Sequence, residues 1–371
     1  MAKKYFVTGA TGAIGSALIS LLLEDPNSQV WALMRAESCE HLKKRLEELI
    51  TFWEMDHEQA QDARRRIIPL LGDTDQSKFA LSGDAYTEIT NQCTHIIHCA
   101  GVVRMNLPLE VARQHALGSA QNIVELALAC QASGSLQKVE YVSTVGVAGK
   151  MSGIVPETWI TQPREFHNTY EQSKAEAEDY LRRQIEQHSL PVTVHRPSMV
   201  VGDSQTGKII HYQIFYHICE FLSGRRTFGI LPNLGNVQLD TVPVDYVAKA
   251  IKYSCLQQSG IGKIFHWCSG PDHSIKLAVL RQIVRRMMRE KGMSLPFLIQ
   301  LPVFIFNKLI KWVTPFINEK LQRMIRTFPF FLDYLSDSQS FDNQQSTRFL
   351  GDACAEDHLT VAISNYLEKS T

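Results

Sequence analysis

The chain has 371 residues, 44% hydrophobic and 20% charged, which suits one large α/β domain or two modest ones with a sizeable core. Lysine plus arginine equals aspartate plus glutamate, at 38 each, so no global field draws it to nucleic acid or to an acidic surface. The eight cysteines contain no Cys-x-x-Cys and no regular spacing, and the thirteen histidines form no cluster at ligand spacing, which argues for reduced cytoplasmic thiols and against a metal centre.

Lys4 to Thr8 reads as a buried strand that leaves no room for a signal peptide, and no apolar run is long enough to span a bilayer. The turn Gly9-Ala10-Thr11-Gly12-Ala13-Ile14-Gly15 follows at once, then an apolar helix to Leu23. Three glycines between a strand and a helix have a mechanical use: a tight turn, room for a pyrophosphate against the backbone, and close packing of helix on strand. The free N–H groups of the helix N-terminus then face the phosphates. Gly9, Thr11, Gly12, Ala13, Ile14 and Gly15 are therefore candidate cofactor contacts.

Gln29 to Met34 is a second strand, closed by Arg35. An acidic residue here would bond the ribose 2′-hydroxyl of NAD, whereas arginine pairs with the extra phosphate of NADP. Arg45, on the following helix, is a second candidate for that phosphate. Glu48 to Arg66 reads as charged amphipathic helix, and Ile67 to Leu71 as a third strand ending in Gly72-Asp73. The Asp73 carboxylate either accepts the adenine amino group or caps the next helix. His95 to Cys99 is a fourth strand, running into Ala100 and Gly101, small residues against which a cofactor ribose fits; a long helix from Leu109 to Cys130 covers the sheet.

Val139 to Val142 is a fifth strand ending in Ser143-Thr144, hydroxyls at the carboxyl edge where parallel sheets bind ligands. Val192 to Arg196 is a sixth strand, followed by Pro197, Ser198 and Val200 in a rigid turn suited to a nicotinamide carboxamide. Between them, Tyr170 and Lys174 stand four residues apart in a helix-forming run from Asn168 to Gln187 and so share one face. A cation beside a phenol is expected to lower its pKa toward working pH, so that Tyr170 exchanges a proton with a carbonyl oxygen.

Taken together, Thr8-Gly9-x-x-Gly12-x-x-Gly15, Gly72-Asp73, Cys99-Ala100-Gly101, Ser143-Thr144, Tyr170-x-x-x-Lys174 and Arg196-Pro197 resemble an extended short-chain dehydrogenase/reductase over residues 3 to 250. The resemblance implies Tyr170 as general acid, Lys174 as holder of the nicotinamide ribose and Thr144 as the hydroxyl that orients the carbonyl, with Ser143 as fallback. His115 departs from the pattern: it stands where the family has an asparagine that supports a water chain to the lysine, and this leaves the proton route open. Arg35, Ser143-Thr144-Val145, Arg196-Pro197-Ser198, Asp240 to Ala248 and Phe341-Asp342-Asn343 are most similar to the branch with thioester reductases and fatty acyl-CoA reductases.

The expected fold is α/β, a doubly wound parallel Rossmann sheet with a smaller, mostly helical C-terminal substrate-capping region. The NADP-binding domain takes residues 1–202, with 236–270 returning to it, and 203–235 with 271–371 form the cap. Ile209 to Leu222 reads as a helix with a large apolar surface. The stretch 295–317 is either an amphipathic flap resting on a membrane surface or a helix packed on the sheet domain or on a homodimer partner. The resemblance implies a cytoplasmic NADPH-dependent reductase of an acyl thioester, carried on coenzyme A or a carrier protein. A reductase or dehydrogenase of a lipophilic ketone, aldehyde or alcohol would keep the same catalytic residues. A catalytically idle NADP sensor would not need both Tyr170 and Lys174, and Arg35 disfavours a nucleotide-sugar epimerase.

Overall fold

The computed structural model describes residues 2–233, 235–313, 339–351 and 358–370. Its centre, among the described residues, is a seven-stranded parallel sheet: β1 (Lys4–Thr8), β2 (Gln29–Met34), β3 (Ile67–Leu71), β4 (His95–His98), β5 (Lys138–Val142), β6 (Val192–Pro197) and β7 (Ile264–Trp267). They lie in the order β7-β6-β5-β4-β1-β2-β3. The chain winds outward from β1 through β2 to β3, then returns to the other side of β1 with β4, so a crevice opens at the carboxyl ends of β1 and β4.

Side chains alternate between the two faces as the pleat requires. Tyr5, Val7, Val30, Ala32 and Met34 enter one core, and Phe6, Trp31 and Leu33 enter the other. The first core is covered by α1 (Ala13–Leu22) and α2 (Cys39–Phe52), and the second by α3 (Gly83–Gln92), α4 (Ser119–Ala132) and α5 (Thr169–His188). Beyond Gly202 come α6 (Ile214–Leu222), α7 (Val244–Cys255), α8 (Leu277–Glu290), α9 (Val303–Val313) and α10 (His358–Ser370). Of these, α7 packs beside α1 under the sheet, while α6, α8 and α10 pack on one another. The sheet is the doubly wound one expected from the strand and helix order.

The helices differ from expectation in three places. Glu48 to Arg66 is not continuous: α2 stops at Phe52, Glu54 takes φ 52°, and Asp56 starts a new helix, His57–Arg66, with a capping box to Gln59. Residues 109 to 132 are interrupted by a π-helical turn, Gln114–Gly118, that carries His115. The apolar stretch from Ile209 becomes helical only at Ile214. Short ladders not expected from the sequence join distant parts of the chain. Met199–Val201 pairs with Thr241–Pro243, Ile230–Pro232 with Ile299–Leu301, and Gly153–Val155 with Gln339–Phe341.

The first core holds a charged group. Lys138 and Glu140, both fully buried, lie 3.3 Å apart on β5. The Lys138 ammonium also donates to the Gln257 carbonyl at 2.7 Å and to the Ser254 hydroxyl at 3.1 Å. Trp267 Nε1 donates to His195 Nδ1 at 2.8 Å, so the imidazole proton sits on Nε2 and is given to Glu140 at 2.7 Å. The network ties β5, β6 and β7 to the end of α7. Lys138→Ala leaves Glu140 buried without its cation and is expected to cost about 3–5 kcal/mol of stability, read from urea unfolding midpoints. A loss under about 1 kcal/mol would show that Glu140 is neutralised without penalty.

Candidate active site

The turn after β1 is shaped by its glycines. Gly9 has φ 69°, and a Cβ there would stand 2.6 Å from the Ala100 nitrogen; a Cβ on Gly15 would stand 2.2 Å from the Gly9 carbonyl oxygen. Any side chain at either position would push strand, turn and helix apart. The Thr8 hydroxyl bonds His98 Nδ1 at 2.8 Å and accepts from Ala100 N at 3.3 Å, which fixes the end of β4 beside this turn.

The crevice so formed is a cleft of about 260 Å³ walled by Gly9, Thr11, Gly12, Arg35, Arg45, Ala100 and Gly101. Arg45 reaches over it, donating to the Thr11 hydroxyl at 2.5 Å and to the Arg35 carbonyl. A bare glycine backbone, a helix N-terminus and two guanidinium groups on one wall fit a phosphorylated dinucleotide. Other expected contacts stand elsewhere. Ala13, Ile14 and Gly15 form the first turn of α1, where Ala13 is buried and Gly15 serves packing against Gly9. The Asp73 carboxylate accepts from Asp75 N at 3.1 Å and so caps its own turn; Gly72, Thr74 and Asp75 make the cleft wall instead. Pro197, which ends β6, and Ser198 and Val200 just beyond it lie two strands from β4 and do not wall this cleft.

Helix α5 begins where the Asn168 side chain accepts from Glu171 N at 3.0 Å, and the Glu171 carboxylate accepts from His167 N at 2.9 Å. This cap sets the first turn, with half-buried Tyr170, against the end of β5. The Thr144 hydroxyl accepts from Gly146 N at 3.1 Å, which leaves its own hydrogen free to donate, and it lies near enough to the Tyr170 phenol to work against a rise of its pKa. The Ser143 hydroxyl is buried and meets no partner among the described residues.

The expected lowering of the Tyr170 pKa by Lys174 is not found. Burial pushes the phenol up to about 12, only partly opposed by the nearby Thr144 hydroxyl, and Glu171 adds to the rise. The Lys174 ammonium donates to the Val142 carbonyl at 3.1 Å and lies 5.1 Å from the centre of the Tyr141 ring. Burial lowers Lys174 to about 8, against the pull of Glu178. Tyr170 and Lys174 share a narrow void with Arg104 and His115, and His115 also walls the larger cleft. His115 Nδ1 is 2.5 Å from the Asp75 carboxylate. The sequence did not single out Asp75 or His211, both of which wall the cleft. Asp75 follows Gly72-Asp73 with no motif of its own, and His211 arrives from beyond Gly202.

A cleft at the switch point of a parallel sheet, beside a void walled by Tyr170 and Lys174, fits an NAD(P)-dependent oxidoreductase of the extended short-chain dehydrogenase/reductase superfamily. Within it, the chain belongs to the male sterility protein family of NAD-binding domains, whose sequence profile matches residues 7–251. An aldehyde reductase of Aspergillus flavus, lnaA, is 27% identical over 274 residues, 71% of this chain and 25% of that protein. The glycine betaine reductase ATRR of Emericella nidulans is 26% identical over 279 residues, 71% of this chain and 21% of that one. This chain thus spans about a quarter of the length of such relatives. Among solved structures, the terminal R domain of the myxalamid PKS-NRPS pathway superposes with TM-score 0.78 at 22% identity, covering 99% of this chain and 90% of that one. The reductase domain of a nonribosomal peptide synthetase from Mycobacterium tuberculosis gives 0.72 at 19%, covering 100% and 92%. At these identities the likeness is one of fold.

A lysine whose folded pKa is depressed from 10.5 to about 8 gives up its proton on folding within that window. The unfolded chain binds more protons there, so stability rises with pH between those limits. The stability difference between the wild-type protein and Lys174→Met should therefore move in favour of wild type from about pH 8 to pH 10 in denaturant titrations. A difference independent of pH would place an ordinary, hydrated ammonium at Lys174.

Proposed function

We propose that this protein is an NADPH-dependent reductase of an acyl thioester, giving an aldehyde and, by a second round, an alcohol. One observation carries the reading. The Thr144 hydroxyl and a Tyr170 phenol that stays protonated at neutral pH converge at the carboxyl end of β5, as two O–H donors suited to a developing oxyanion. The reduced nicotinamide, when bound, supplies the hydride. Thr144 and Tyr170 orient the thioester carbonyl and take up its negative charge, and Lys174, anchored on Val142, holds the ribose side of the cleft. Arg35 and Arg45 favour NADP(H) over NAD by offering guanidinium groups to a 2′-phosphate.

Residues 1–202 with 236–270 serve the cofactor, and 203–235 with 271–371 shape the acyl pocket. The thioester travels on coenzyme A or a carrier protein, in the cytoplasm. One structural relative is a thiolation-reductase di-domain from an archaeal nonribosomal peptide synthetase, which favours the carrier-bound form. The exposed rings of Phe297 and Phe304, 86% and 65% accessible, and the exposed Lys308 give 295–313 the make-up of a surface that rests on a membrane or a second copy. Residues 314–317 of the expected flap lie outside the described residues. Among the described residues no helix is long and apolar enough to cross a membrane.

The test is NADPH consumption with a long-chain acyl-CoA and with a carrier-bound acyl thioester, beside the matching aldehyde and an NADH control. Thioester turnover with aldehyde or alcohol recovered is the expected result; turnover of the aldehyde alone would establish a carbonyl reductase. Tyr170→Phe should lower kcat by about 10²–10⁴-fold with NADPH binding retained. Removing both arginines should raise KM for NADPH and leave that for NADH nearly unchanged.

A further inference from the structure

His211 has no task in the reading above. Among the described residues it is the one from beyond Gly202 that walls the cofactor cleft, which it shares with Gly9, Thr11, Gly12, Arg35 and Arg45. It is exposed and makes no hydrogen bond or ion pair among the described residues. The chain on either side of it is fastened. Asp203 Oδ1 accepts from Thr206 N at 2.8 Å and the Asp203 carbonyl from Gly207 N at 2.8 Å, which closes a turn. A Cβ on Gly207, whose φ is 68°, would stand 2.4 Å from the Val361 carbonyl oxygen, so this turn lies directly on α10. Asn365 of α10 donates to the Thr206 carbonyl at 3.2 Å and accepts from the Tyr212 hydroxyl at 3.0 Å. Ile209 is buried in the first core.

The same segment is tied to the start of α1. Trp53 Nε1 donates to the Ser16 carbonyl at 2.8 Å, seating the end of α2 there, and Lys208 pairs with the next residue, Glu54. A dinucleotide lays its diphosphate on the glycine turn and the helix N-terminus that follow β1. Arg35 and Arg45 come to that cleft from β2 and α2, on one side of β1. His211 comes to it in the chain that leaves β6, on the other side of β1 in strand order. The guanidinium groups take the 2′-phosphate, and the diphosphate is the anion left for His211. An imidazole carries a ring N–H in either protonation state, so it can donate to a phosphate oxygen.

We propose that His211 is a diphosphate contact supplied by the cap, so that a bound dinucleotide tightens segment 203–213 and, through Gly207, Tyr212 and Asn365, helix α10. The cofactor then favours the seated form of the segment by the free energy of that contact. Any substrate that prefers the seated form is bound more tightly with cofactor present, and returns the effect by the same factor. The inference needs a dinucleotide but no thioester, and it holds whichever carbonyl is reduced.

The experiment titrates NADPH and NADH into wild type, His211→Ala and His211→Gln by calorimetry, without acyl substrate. Hydrogen–deuterium exchange of 203–213 and 358–370 is followed in parallel. His211→Ala should weaken both nucleotides by about tenfold, the loss of one hydrogen bond to a charged group, and His211→Gln, which keeps an N–H donor, should recover part of it. NADPH should slow exchange in both segments of wild type, and saturating NADPH should not do so in His211→Ala. Unchanged affinities overturn the proposal. A loss confined to NADPH puts His211 on the 2′-phosphate and overturns the diphosphate assignment. Equal protection of the two segments in wild type and His211→Ala overturns the coupling. A weakened affinity with a lowered cofactor-free melting temperature and no recovery in His211→Gln marks a structural role and overturns it as well. Tight NADPH binding without thioester turnover bears on the thioester reading alone, so the two failures stay distinct.

Discussion

The bidentate pair between Arg196 and Glu178 sets the geometry on which the site depends. Arg196 Nε and Nη2 donate to the two Glu178 oxygens at 3.0 and 2.6 Å, with side chains only 1% and 4% exposed. A third donation, from Nη1 to the Thr158 carbonyl at 3.0 Å, ties in the segment before α5. The pair locks α5 onto β6 in both distance and angle, which a lysine's point charge would not do. Glu178 lies one turn after Lys174 and two after Tyr170, so the clamp on the helix also fixes both relative to the end of β5. The same carboxylate acts electrostatically, holding the Lys174 pKa up against burial. Arg196 is therefore a fastening of α5 to the sheet.

Burial then divides the proton chemistry. A neutral phenol loses little when taken out of water, whereas its anion loses much, so Tyr170 rises to about 12 and remains an O–H donor. The ammonium loses more than the amine, so Lys174 falls to about 8 and can give up its proton near neutral pH. Desolvation thus separates a group that holds its proton from one that passes it on. An exposed Tyr-x-x-x-Lys pair with both groups near 10 would keep both protons at neutral pH.

Most of this frame was legible in the chain. Six of the seven strands announce themselves as short apolar runs, whereas the edge strand β7 (Ile264–Trp267) was not picked out, and the expected functional residues Gly9, Ala100, Gly101 and Thr144 stand just past strand ends because a parallel sheet gathers those ends in one crevice. Arg35 was legible for the same reason, and Arg45 as a cation on the helix that follows it. What escaped depends on distance in sequence or depth in the fold. Asp75 and His115 meet only because β4 returns beside β1 and brings the helix after it over the end of β3. The four-residue spacing of Tyr170 and Lys174 gives a shared helix face but says nothing of burial, and burial reversed the expected shift. The break at Glu54 was hidden because the sequence on either side keeps a helical pattern; the Asp56 capping box is the signal that could have found it.

A second fastening lies where the chain leaves the sheet and returns to it. After β6 the chain forms a ladder, Met199–Val201 with Thr241–Pro243, before entering the elements beyond Gly202. Asp240, at the end of that ladder, accepts from Ser269 N at 2.9 Å and from Gly270 N and the Ser274 hydroxyl at 3.1 Å each, which pins the returning chain beside β7. The segments 203–235 and 271–313 therefore leave and rejoin the sheet at fixed points. The aromatic cluster of Tyr212, Tyr216 and Tyr366, with rings 4.8 to 5.0 Å apart, packs among α6 and α10 and does not touch α5. A substitution in that cluster acts on α6 and α10, which pack in the first core, while the Arg196–Glu178 clamp holds α5, which packs in the second. The two lie on opposite faces of one sheet, because alternate side chains of each strand feed different cores.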